Sequence, residues 1–102
     1  MKQIPTDYVN IPLNKWILIK PLRKKNFEDL LIKVESNTVG SDDKYNSYFI
    51  IKEHYPLNHS FIQRRSDYNR IWYKKNEVYD NELFYIIEDE EELKQLKVLL
   101  LL

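Results

Sequence analysis

The two longest apolar runs in this chain, Leu83 to Ile87 and Val98 to Leu102, are five residues each, and that limit decides most of what the chain can fold into. A helix needs roughly 20 apolar residues to span a bilayer, so no membrane helix is expected. Shorter runs include Trp16 to Ile19, Leu30 to Ile32, Tyr48 to Ile51 and Ile71 to Tyr73. They are rich in β-branched and aromatic residues, and Asn, Asp, Pro and charged residues separate them. Short strands joined by turns are the expectation, arranged as a small barrel or sandwich.

A chain of 102 residues is one domain's worth, and 43% apolar with 14% aromatic residues is enough to fill one core. Residues 1–102 are therefore expected to form a single domain, with 1–10, which contain Pro5, as an N-terminal arm. Turns that need positive φ have a single glycine to use, Gly40, so they fall to asparagine and aspartate. The bias toward Asn, Lys, Ile and Tyr fits an AT-rich genome such as many bacteriophages have.

Only the end of the chain has helical spacing. Glu88 to Glu92 place acid where a helix N-terminus is partially positive, and Leu93, Leu96 and Leu100 follow at turns of a helix. Residues 97–102 fit either a short C-terminal helix or an extended tail. An apolar terminus of this kind is expected to be buried in its own barrel or against a neighbouring subunit.

The charges narrow the function. Sixteen basic residues balance sixteen acidic ones, which argues against a general nucleic-acid glue and against an acidic mimic of DNA. The absence of cysteine excludes disulfides and Cys-based zinc sites and fits a reducing compartment. No basic-then-apolar leader opens the sequence, so a cytoplasmic protein is expected.

No catalytic set emerges. The serines at 36, 41, 47, 60 and 66 lie in no glycine-rich elbow, and His54 and His59 match no familiar metal spacing. Asp42-Asp43 and Glu88 to Glu92 are runs rather than opposed pairs, so nothing separates their proton affinities for acid–base work. Neither enzyme activity, metal nor cofactor is expected. One stretch mixes cations with rings: Arg64, Arg65, Tyr68, Arg70, Trp72, Tyr73, Lys74 and Lys75. That mixture suits single-stranded nucleic acid. It equally suits a solvated strand with Ile71 and Tyr73 pointing one way and Trp72 the other.

The two ends carry a family resemblance. Pro12-Leu13-Asn14-Lys15-Trp16-Ile17-Leu18-Ile19-Lys20 resembles the opening strand of GroES-type co-chaperonins, with Lys15-Trp16 where the family has Asp-Arg. Asp80 to Leu93 is similar to the family's closing turn, strand and short acidic stretch. The resemblance is to the divergent kind that bacteriophages carry. It implies a mainly β, small, partly open β-barrel that assembles as a homo-oligomer, a heptameric ring, and caps a GroEL-type chaperonin. It also implies a mobile loop after the first strand, here residues 23–44, with Phe27, Leu30, Leu31 and Ile32 as its apolar contacts. Ordering such a loop on binding costs affinity that several linked copies restore. The run Leu30 to Ile32 reads equally well as a core strand. Subunit contacts are expected at Pro12, Leu13, Leu96, Val98, Leu99 and Leu100. A third class of function is a phage structural or host-inhibitor protein that holds one protein partner through the apolar C-terminus.

Overall fold

The computed structural model describes residues 1–5, 10–21, 29–38, 47–73 and 82–101. Seven strands precede one helix: β1 (Lys2–Ile4), β2 (Trp16–Pro21), β3 (Leu30–Thr38), β4 (Ser47–Tyr55), β5 (Gln63–Arg64), β6 (Asn69–Tyr73), β7 (Glu82–Ile87) and α1 (Glu90–Leu99). The strands form a single sheet in the order β1-β7-β2-β3-β4-β6-β5, and every neighbouring pair is antiparallel. The fold is thus mainly β with a C-terminal helix, and the sheet is open rather than closed into a barrel.

The central strands are apolar without alternation because both faces of the sheet are covered there. On one face Ile17 and Ile19 of β2 join Leu30, Ile32 and Val34 of β3, Phe49 and Ile51 of β4, Ile71 and Tyr73 of β6 and Phe84 of β7. On the other face Trp16, Leu18, Leu31 and Ile87 lie beneath Leu93, Leu96 and Leu100 of α1. No helix of the described residues covers the first face; Ile11, Phe61 and Ile62 pack against it, and the sheet curls over it. In a flat sheet β6 and β7 would lie about 19 Å apart, four strand spacings. Instead Ile71 and Trp72 of β6 line one open pocket of about 450 Å³ with Glu82 of β7 and the half-buried Phe61 and Ile62.

Several local features follow from residue type. Asn14 takes a φ of 57° in the turn before β2, where its amide donates to the Val34 carbonyl, so asparagine does fill a left-handed position. Asp89 caps α1 with a side-chain oxygen that accepts from the Glu92 amide at 2.9 Å. Glu90, Glu91 and Glu92 fill the first turn and Lys97 the last, each favourable to the helix dipole. Residues 97–99 are helical, with Leu100 as the C-cap.

One expectation is corrected. Residues 30–38, expected within a mobile loop, form β3, one of the two longest strands, and hydrogen-bond to β2 on one side and β4 on the other. Leu30, Leu31 and Ile32 are each 0% exposed. The physical reason is that β3 lies mid-sheet, where Leu30 and Ile32 enter one core layer while Leu31 enters the other. Within the expected N-terminal arm, Lys2 to Ile4 pair with Phe84 to Ile86 as β1. Phe27, the rest of the expected loop at 23–28 and 39–44, and Val78-Tyr79, a pair whose composition suggests a further strand, lie outside the described residues.

Candidate functional site

The expected subunit contacts divide into two groups. Leu96 and Leu100 turn inward onto Trp16, Leu18, Leu31 and Ile87, so they hold the helix to the sheet. Pro12 is half-buried. Leu13, Val98 and Leu99 remain exposed, with Val98 and Leu99 at 63% and 71%. Leu101, which the sequence did not single out, is exposed beside them.

Lys97 anchors α1 from its flank. Its Nζ lies 4.4 Å from the centre of the Trp16 ring and 5.6 Å from that of Tyr55, while Lys33 approaches the same indole at 5.7 Å. The Met1 ammonium adds an ion pair to Glu92. It lies 3.1 Å from Oε1 and 3.3 Å from Oε2, but only Oε2 is aligned to accept a hydrogen bond.

The basic and aromatic stretch is taken apart by the sheet. Tyr73 points into the core, where its ring stacks on Phe49 at 4.8 Å and its hydroxyl donates to Asn37 Oδ1. Arg64 is exposed and donates to the Leu57 carbonyl at 2.6 Å and Asn58 Oδ1 at 2.9 Å. Arg65 is exposed, and its backbone amide donates to the Tyr68 carbonyl at 2.8 Å. Lys74 and Lys75 lie outside the described residues.

Arg70 and Trp72 remain together on the outer face, because alternation along β6 turns them away from Ile71 and Tyr73. The β4–β6 register sets Tyr48 opposite Trp72, and the turn after β5 brings Tyr68 alongside. The resulting cluster is tight. Tyr48 meets Trp72 edge to face at 5.1 Å and lies nearly parallel to Tyr68 at 6.3 Å. The Arg70 guanidinium is 4.4 Å from the Trp72 ring, 5.1 Å from Tyr48 and 6.0 Å from Tyr68. Gln63 Oε1 accepts from both Arg70 Nε and Trp72 Nε1 at 2.5 Å. Arg70 is consequently buried to 7% exposure, whereas Trp72 keeps 40%.

Tyr48 and Gln63 were not singled out from the sequence, whereas Tyr68 belongs to its stretch of cations and rings. Alternation within Tyr48-Phe49-Ile50-Ile51 hints that Tyr48 faces outward, but its meeting with Trp72 depends on a strand register that the sequence does not display. Among the described residues no three His, Cys, Asp or Glu side chains gather as a metal site, and no helix is long and apolar enough to cross a membrane. Comparison with family models, with curated proteins and with solved structures found no match.

Proposed function

We propose that this chain is a co-chaperonin-like protein, a non-enzymatic domain that assembles with copies of itself and binds a GroEL-type chaperonin. The observation that carries this reading is where the two resembling segments lie. They come from opposite ends of the sequence, yet β2 and β7 pair residue by residue from Trp16↔Ile87 to Pro21↔Glu82. A family's opening and closing strands that are sheet neighbours support a shared architecture better than two isolated motif matches do. The curl that brings β6 toward β7 supports the finer reading of the sheet as a partly open, GroES-like barrel.

The chaperonin contact does not run through Leu30, Leu31 and Ile32, whose side chains have no surface to offer. Exposed apolar side chains at Leu13, Val98 and Leu99 support self-assembly instead. Multivalency then raises the avidity of individually weak chaperonin contacts.

The test is native mass by light scattering, alone and with a GroEL-type chaperonin plus nucleotide. A ring near seven subunits that co-elutes with the chaperonin supports the reading. A monomer that ignores the chaperonin overturns it. Replacing Val98 and Leu99 with Asp should lower the assembled mass without unfolding the chain, because exposed positions tolerate substitution within about 0.5 kcal/mol.

A further inference from the structure

We infer that the outer face of β4, β5 and β6 is a stacking surface for single-stranded nucleic acid, with Trp72, Tyr48 and Tyr68 as its platform. The inference uses none of the residues assigned above to assembly, so it stands or falls independently of the chaperonin reading.

Three observations carry it. The first is position. α1 packs over Trp16, Leu18, Leu31 and Ile87, and the rings of Tyr48, Tyr68 and Trp72 lie outside that covered area. The second is rigidity. Gln63 fixes the Trp72 indole through Nε1, and Arg70 holds its guanidinium beside all three rings. A ring already held in place gives up little conformational freedom when a base stacks on it.

The third observation is the chemistry that decides between ligand classes. Residues 57–73 carry Arg64, Arg65 and Arg70 against one acid, Asp67, in a chain whose total charge is zero. The local excess is positive, which suits phosphate. Arg64 and Arg65 are both exposed, Arg64 being tied to Leu57 and Asn58, while Arg70 is buried against Gln63. Rings therefore dominate over free charge here. Unpaired bases offer a flat π-face to each ring whatever their sequence, and a duplex hides those faces in its own stack.

The experiment is fluorescence anisotropy of labelled dT15 and of the matching duplex, titrated with the full chain at several salt concentrations. The single strand should bind at least about tenfold more tightly than the duplex. Trp72→Ala should weaken binding by about 5- to 150-fold, the range for loss of one stacked base. The dependence of log affinity on log salt should be shallow, about −0.7 for each phosphate neutralised. Trp72→Phe should retain part of the affinity, and dT15 should quench tryptophan emission in the native chain but not in that variant, where the buried Trp16 is the remaining indole. The inference is overturned if dT15 fails to bind at low salt, if the duplex binds equally, or if a folded Trp72→Ala variant keeps its affinity. A protein that binds this patch while dT15 does not would also overturn it.

Discussion

Leu31 gives a sharp test of the fold, because a loop anchor and a core side chain respond oppositely to truncation. Leu31→Ala removes a side chain that is 0% exposed and packs between β3 and the helix-covered layer of Trp16, Leu18 and Ile87. Truncations of this kind cost about 2–5 kcal/mol, the lost transfer energy plus a cavity that the neighbours only partly fill. The neighbours here are a tryptophan under Lys97 and strands fixed by two ladders, so collapse is limited and about 3 kcal/mol is expected. A chain this size has roughly 5–15 kcal/mol of total stability, so the loss is a large share. It should lower Tm by about 12–24 °C, and a urea midpoint by about 2 M for a slope near 1.5 kcal/mol per M. Circular dichroism melts and urea titrations of Leu31→Ala beside an exposed control, Leu13→Ala, measure both. A Tm within about 2 °C of the native chain would show that Leu31 is not core and would refute the placement of β3. Changing Leu30, Leu31 and Ile32 together to Ser should leave no folded protein at all.

Three further outcomes are expected. Lys97→Ala should destabilise the chain by about 0.5–1.5 kcal/mol through loss of its contacts with Trp16 and Tyr55, and Lys97→Met should recover the part owed to the aliphatic stem; unchanged melting of the Ala variant would remove Lys97 as an anchor. Tyr73→Phe deletes the buried hydrogen bond to Asn37 and should cost about 1 kcal/mol in denaturant titrations, with no loss meaning that the bond contributes nothing net. His54 should appear in nitrogen-detected NMR as the Nδ1–H tautomer, because the Pro56 carbonyl at 2.9 Å can only accept and Nε2 faces the Asn69 amide at 3.4 Å; an Nε2–H signal would contradict that network.

Much of the strand content was legible because the period is local. Trp16 to Ile19 and Leu83 to Ile87 announce themselves by composition, and Arg70-Ile71-Trp72-Tyr73 announces its two faces by alternation. The fate of Leu30 to Ile32 was not legible. Three consecutive aliphatic residues serve a binding loop or a doubly covered strand equally well. What decides is that β2 and β4 flank the run while α1, from the far end of the chain, covers Leu31. The candidate site was half legible for the same reason. Trp72 and Arg70 stand in one short segment, but Tyr48 reaches them only through the β4–β6 register.

The two tryptophans show what places the open surface. Trp16 and Trp72 both point to the outer face of the sheet, and each lies beside a cation and a tyrosine. Trp16 is nearly buried and Trp72 is not, and the difference is α1. α1 packs on β7, β2, β3 and, through Lys97 and Tyr55, β4, whereas Tyr48 and Trp72 lie seven residues, about 23 Å, along β4 from Tyr55, farther than a ten-residue helix of about 15 Å. Among the described residues, no helix covers the half of this face that carries Tyr48 and Trp72. The chain clads that half with rings and a guanidinium held by Gln63, rather than with the Lys, Glu and Thr that usually keep an exposed sheet soluble. Replacing Tyr48 and Trp72 together with Thr should therefore abolish dT15 binding while leaving the emission of Trp16 under Lys97 unchanged; binding that survives in the folded variant would put the nucleic-acid surface elsewhere.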